Sequence, residues 1–178
     1  MPIPTLETAQ LVLRPFTADD APAVQHLAGA HEVASTTLTI PHPYEDGVAE
    51  EWIETHEAAW EAKKRVALAM TSQDDGVVGC ISLHLDSKHQ RGELGYWVGL
   101  PYWGRGYATE AAAAVLGLGF DVLGLNRIQA HHMTRNAGSG RVMQKIGMEF
   151  EGVLRQLVLA RGEFEDVAVY AILSSDHP

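Results

Sequence analysis

A mid-chain run, Tyr102-Trp103-Gly104-Arg105-Gly106-Tyr107-Ala108-Thr109-Glu110, has the residue types and spacing to hold a phosphate. A β-like run, Glu93-Leu94-Gly95-Tyr96-Trp97-Val98, comes before it, and an alanine-rich helical run from Thr109 to Leu123 follows. Glycines at 104 and 106 let the backbone approach a ligand closely, and a helix start adds about half a positive charge from its dipole. Two familiar phosphate loops do not fit. The Walker type needs Gly-Lys and then Ser or Thr entering the helix, whereas Tyr107-Ala108-Thr109 follow Gly106. The Rossmann fingerprint has three glycines in a βαβ unit and an acidic residue about 20 positions on. Here Gly104-x-Gly106-x-x-Thr109 has two of them, and three strand-like runs precede it with no helix between.

Further motifs occur in a fixed order along almost the whole chain. Leu11-x-Leu13-Arg14-Pro15-Phe16 opens the first strand, and Gly95-Tyr96-Trp97-Val98 precedes the glycine turn. Asn136-x-x-Ser139-x-Arg141-Val142-Met143-x-Lys145-x-Gly147, Glu151-Gly152 and Tyr170-Ala171-Ile172-Leu173 follow it. In this the chain resembles the GNAT-superfamily N-acetyltransferases, in particular the branch of ribosomal-protein alanine N-acetyltransferases. The superfamily pattern [Gln/Arg]-x-x-Gly-x-[Gly/Ala] is met as Trp103-x-x-Gly106-x-Ala108, with tryptophan as the departure.

The resemblance implies acetyl-CoA as co-substrate, held by Trp103, Gly104, Arg105, Gly106, Tyr107, Ala108 and Thr109, with its pyrophosphate over residues 104–109. It also implies that Asn136 hydrogen-bonds the pantetheine arm and that the backbone N–H near Val98 serves a developing oxyanion where the family splays two strands apart. Transfer to an amine needs a neutral amine and a proton for the leaving thiolate, but no metal. An α-amino group has a pKa near 8, so a modest base suffices, directly or through water. Glu93 is the candidate base. Strand alternation puts Glu93, Gly95 and Trp97 on one face, where the Trp97 ring would shield the carboxylate and strengthen it as a base. The competing reading is an ordinary strand-edge glutamate. Ser139 is the candidate acid, since it begins a short helix after Asn136 and its hydroxyl sits at a positive helix end. An N-cap serine is the competing reading.

Acceptor identity stays open. In relatives the segment between the first two helices and the last hairpin's loop frame the acceptor; these are residues 36–44 and 160–165, with Thr37, His42, Tyr44, Arg161 and Glu163. A peptide N-terminus, favoured by the branch, stands beside a polyamine, an amino-sugar antibiotic and an amino acid. A non-catalytic acyl-CoA sensor is the alternative of a different class.

Other conspicuous residues read as structural. The nine histidines show no metal-ligand spacing, and His131-His132 must point to opposite faces of one strand. One of that pair can face the acceptor channel. Cys80 reads as core, and Arg14 as half of a structural ion pair.

The elements that position these groups follow from period and punctuation. Leu11 to Phe16 is a strand, and Thr17-Ala18-Asp19-Asp20 starts a helix with a capping-box pattern. Residues 46–64 form a second helix, with Val48, Trp52, His56 and Trp60 four apart and the tryptophans in the core. Residues 65–71, 77–86 and 92–98 make a meander with polar turns. The helix after the glycine turn ends near Gly124, residues 127–133 return as a strand, and a helix over 139–146 stops at Gly147. A hairpin, 148–160 and 165–173, turns at Arg161-Gly162-Glu163. The predicted fold is mixed α/β, a mostly antiparallel sheet flanked by helices in the order β-α-α-β-β-β-α-β-α-β-β, as one domain over residues 1–178. The apolar outer strand of the hairpin, Val167 to Leu173, invites pairing, and a homodimer is expected.

Composition agrees. At 178 residues and 46% hydrophobic, the chain has material for a real core. Residues 111–120 are too short and glycine-broken to span a bilayer, and Met1-Pro2-Ile3-Pro4-Thr5 is no signal peptide. The single cysteine suits a reducing cytoplasm. A net charge of −10 disfavours nucleic acid and suits either a cationic acceptor or plain solubility.

Overall fold

In a computed structural model, which describes residues 2–177, the alternating runs form strands. These are β1 (Leu6–Glu7), β2 (Leu11–Arg14), β3 (Arg65–Ser72), β4 (Gly76–Asp86), β5 (Arg91–Val98), β6 (Arg127–Met133), β7 (Glu149–Ala160) and β8 (Glu163–Leu173). They share one sheet in the order β1-β2-β3-β4-β5-β6-β8-β7. Neighbours are antiparallel except β5 and β6, which run parallel. The helices are α1 (Ala21–Ala28), α2 (His31–Ala34), α3 (Val48–Glu61), α4 (Tyr107–Gly117) and α5 (Ala137–Lys145). The mixed α/β arrangement is the predicted one, with β1 and α2 added. Both are too short to carry a readable period.

Local chemistry sets the boundaries. Asp20 accepts the Thr17 N–H at 2.8 Å and a bidentate pair of bonds from Arg14 at 2.7 and 2.8 Å. Burial works against the Asp20 carboxylate, but those partners outweigh it and hold its pKa below the ordinary value. Gly147, at φ 84°, stops α5 as the sequence predicts. The β7–β8 turn has Arg161 at φ 50° and Gly162 at φ 88°, the double left-handed conformation of a tight hairpin turn.

Helices cover both faces. Against α4 and α5, Leu68, Met70, Ile81, Leu83 and Ile128 are fully buried with Ala111, Ala112 and Val115. Each large side chain removed from water contributes about 1.5–3 kcal/mol. On the opposite face α1 and α3 bury Ala21, Val24, Ala28 and Ala49 beside Phe16, Trp52 and Trp97. Trp60 is buried and Trp52 partly so, which puts both tryptophans in packed positions as expected.

One expectation is reversed. Val167 to Leu173 is not the outer strand: β8 lies between β6 and β7, and β7 is the edge. The apolar character of β8 is that of an interior strand, with Val167, Ala168, Tyr170, Ala171 and Ile172 buried. Among the described residues no helix is long and apolar enough to cross a membrane, and no group of His, Cys, Asp or Glu converges on a metal site.

Candidate active site

The site begins where the sheet comes apart. Strands β5 and β6 pair only through Arg91↔Arg127, Gly92↔Ile128 and Glu93↔Gln129. Beyond that point β5 continues to Val98 and β6 to Met133 without meeting. The opening belongs to a cleft of about 1340 Å³, larger than the roughly 300–1,000 Å³ usual for one small ligand. Glu93 is at the apex of the parting.

The backbone lining this opening is free to bind. Gly99 N–H donates to Val78 O at 2.9 Å across β4. Antiparallel pairing alternates, so Trp97 also turns to β4 while Tyr96 and Val98 turn their N–H groups toward the gap. Val98 O accepts a 2.7 Å bond from Trp103 Nε1, which fixes the strand end to the glycine turn.

The turn has the conformation its glycines allow. Gly104 and Gly106 have φ of 78° and 85°, and Gly106 caps α4. The first helical bond from this end is Glu110 N–H to Gly106 O at 3.0 Å, so the N–H groups of Tyr107, Ala108 and Thr109 have no partner inside the helix. Glu110 itself turns away, accepting from Thr8 Oγ1 and, at 2.6 Å, from Gln10 N. Trp103, Gly104, Gly106, Tyr107, Ala108 and Thr109 line the cleft. The Arg105 side chain lies outside it, 3.5 Å from Asp75 and 5.2 Å from the Tyr102 ring centre. These free N–H groups fit a phosphate-bearing ligand whose arm enters the gap.

Ser139 does not begin its helix. Asn136 is the N-cap of α5, and its Oδ1 accepts the Ser139 N–H at 3.3 Å, so Ser139 is the third helical residue. Capping uses the Asn136 carbonyl oxygen and leaves its amide NH₂ to donate into the cleft. The Ser139 hydroxyl meets the Tyr96 hydroxyl at 2.7 Å, and Tyr96 also reaches Ser139 O at 3.1 Å. Burial pushes Tyr96 up to about 12, against a smaller opposing effect of Ser139, so the phenol stays protonated. The sequence reading missed Tyr96. Alternation from Glu93 places it on the opposite face, toward α5, which was the available signal.

Glu93 occupies the other side of the sheet. Its carboxylate accepts from Gln129 Nε2 at 3.2 Å and lies 3.5 Å from His131 Nδ1. The expected Trp97 shield is absent. Four residues along a strand span about 13 Å, Trp97 packs with the α1–α3 cluster, and the Glu93 side chain is 43% exposed. His131 lines the cleft beside Glu93, while His132 stacks on Tyr170 and donates from Nδ1 to Met133 O at 2.8 Å. Cys80 is buried, and burial pushes its thiol up to about 12, an inert core thiol. Thr36, Thr37, Leu38, Thr39, Ile40 and Tyr44 roof the cleft, held by Arg161 to Thr37 O and Ile40 O, both at 3.3 Å. Glu93 and Ser139 thus line one opening from opposite sides of the sheet.

Comparison with known proteins agrees with this geometry. The family model of the GNAT acetyltransferase domain matches residues 10–149. The uncharacterized N-acetyltransferase YoaA of Bacillus subtilis is 35% identical over 173 residues, 96% of this chain and 97% of that one. The ribosomal protein uS5-alanine N-acetyltransferase of Escherichia coli is 30% identical over 83 residues, 47% of this chain and 43% of the enzyme. A crystal structure of a GNAT-family acetyltransferase from Bacillus anthracis superposes with a TM-score of 0.85 at 28% identity, covering 97% of this chain and 99% of the other. The family model over residues 10–149, the relative matched over 96% of the chain and the shared fold together make the chain a member of the GNAT family of N-acetyltransferases.

Proposed function

We propose that the chain is a single cytoplasmic transferase domain that acetylates the N-terminal amine of a peptide or protein, by direct attack with both substrates bound. The observation that carries this is the parting of β5 and β6 after Glu93, which joins the glycine turn on one face to a polar cluster on the other. Residues 104–109 hold the pyrophosphate, and Asn136 holds the amide-bearing arm. When bound, acetyl-CoA supplies a thioester carbon for the amine and a thiolate as leaving group.

Each neighbouring group of the protein then has a role. Glu93 accepts the proton of the amine, directly or through water, with His131 close enough to share it. The Tyr96 and Val98 N–H groups stabilise negative charge on an oxygen in the gap. Ser139 donates a proton to sulfur, and Tyr96, itself protonated, refills the serine across 2.7 Å. The cleft of about 1340 Å³ under the roof held by Arg161 has room for a peptide beside the cofactor.

Incubation with acetyl-CoA and a panel of peptides, polyamines, amino sugars and amino acids tests this reading. Free thiol and the intact mass of each acceptor are followed. Peptides should gain a single acetyl group at the α-amine. Turnover confined to polyamines or amino sugars overturns the acceptor assignment.

A further inference from the structure

We propose that the acceptor carries an anionic group close to its amine, an acidic side chain or free carboxylate within the first three residues of a peptide, and that Arg65 binds it. Arg65, His84, Glu93 and Gln129 stand opposite one another across β3, β4, β5 and β6, a single row on the cleft side. Strands lie about 4.8 Å apart, so Arg65 and Glu93 are roughly 10 Å apart at Cα. An extended peptide advances about 3.3–3.6 Å per residue. The distance between Arg65 and Glu93 is about three residues of extended chain, so with the amine at Glu93 an acidic side chain on the second or third residue spans the remainder to Arg65.

Arg65 lacks a counter-ion among the described residues, as do Arg141, Arg155 and Arg161, but it alone of these stands in the row with Glu93. Arg14, Arg91, Arg105, Arg127 and Arg135 each face a carboxylate within 4.0 Å. Among the described residues none lies that near Arg65, whose Nη2 donates to Thr55 Oγ1 at 2.9 Å. Its Nε is buried and unpartnered. A guanidinium lining a cleft, with one buried unpartnered N–H and no carboxylate of its own, is free to take an anionic group from a ligand. His84 stands between the two charges: burial and then Arg65 lower its pKa, and Glu93 opposes them. A polyamine offers Arg65 only repulsion, while a carboxylate gains a charge-assisted, potentially bidentate bond.

This inference rests on the amine sitting at Glu93. Amidated alanine-initiated peptides with Glu, Gln or Lys at the second or third position separate acidic from neutral peptides. Alanine dipeptide as free acid and as amide isolates a terminal carboxylate. Each is measured by kcat/KM and by calorimetric binding to the CoA-saturated protein. The acidic member of each pair should exceed its neutral partner about tenfold or more. Arg65→Gln should erase that preference with acetyl-CoA affinity unchanged, and Arg65→Lys should keep part of it. Equal use of acidic and neutral peptides by the unaltered protein overturns the inference without relying on any variant, as does a preference for Lys. Full activity of Glu93→Gln removes the amine from Glu93 and takes both readings with it. A slow Glu93→Gln enzyme that ignores the acid sinks this inference alone.

Discussion

At the scale of single residues, the proposed mechanism divides proton transfer between Glu93 and Ser139, on two faces of one sheet. Replacing Glu93 by Gln keeps shape and hydrogen bonding but removes the proton acceptor. The maximal rate should fall about 10²-fold or more while acetyl-CoA affinity, read by calorimetry, stays within error. An unchanged rate from pH 6 to 9 would assign the base elsewhere. Ser139→Ala should slow thiol release, and Tyr96→Phe should do so less, because it removes the refilling proton and leaves the serine hydroxyl. Pre-steady-state thiol release checks this, and equal rates for parent and both variants would remove the relay. The position of Glu93 on the cleft-facing side of its strand was legible because strand period alone assigns a face. The Tyr96–Ser139 pair was not, since its partners are 43 positions apart and meet only through packing of α5 on the sheet. The start of α5 was placed two residues too late because Asn136 and Ser139 are both good caps, and the Asn136 side chain took the position.

At the scale of elements, the glycine turn and the α4 start act together. Gly106→Glu forces a side chain into a left-handed position and sets a carboxylate where the phosphate charge belongs. Acetyl-CoA binding should be lost by calorimetry while the far-ultraviolet circular dichroism spectrum is retained; parent-like affinity would move the phosphate site elsewhere. Helix α3 gives a different prediction. His56 is buried against Phe16 and Trp52, with neither ring nitrogen hydrogen-bonded among the described residues. Burial first, then the Arg65 charge, lowers its pKa to about 4. The unfolded chain, with a histidine pKa near 6.5, therefore binds this proton more readily than the fold does. Stability is full above about pH 6.5 and is lost as pH falls toward 4. His56→Leu should flatten that part of the urea-midpoint profile; an unaltered slope would exclude His56 as its source. Strand limits in the meander were readable to within a residue, because polar turns punctuate it. The parting of β5 and β6 was not, since where a ladder stops depends on neighbours far along the chain.

At the scale of the whole molecule, the exposed edge is β7. Phe150, Val153, Leu154, Leu157 and Leu159 of β7, with Phe164 of β8, are exposed apolar side chains distributed over both faces of this edge. The expected homodimer should use this edge. Light scattering at micromolar concentration should give twice 19.4 kDa, and Leu157→Lys with Leu159→Lys should lower it to the single value. A stable 19.4 kDa species for the parent sinks the dimer. The sequence placed this edge on the wrong strand because apolar residues mark burial on two sides as readily as exposure on one.

The same parted sheet has a bearing on stability. Strands β1 to β5 and strands β6 to β8 are two half-sheets sewn together by three facing residue pairs and by the helices laid across them. The seam continues as two bare main-chain edges. A ligand with amide groups lying between them would complete the weave as a surrogate strand, and occupancy and cohesion would then become one quantity. At a hundred times its dissociation constant, such a ligand adds about 2.7 kcal/mol to the folded state. The protein in a cell rich in its cofactor is in that sense a sturdier object than the bare chain.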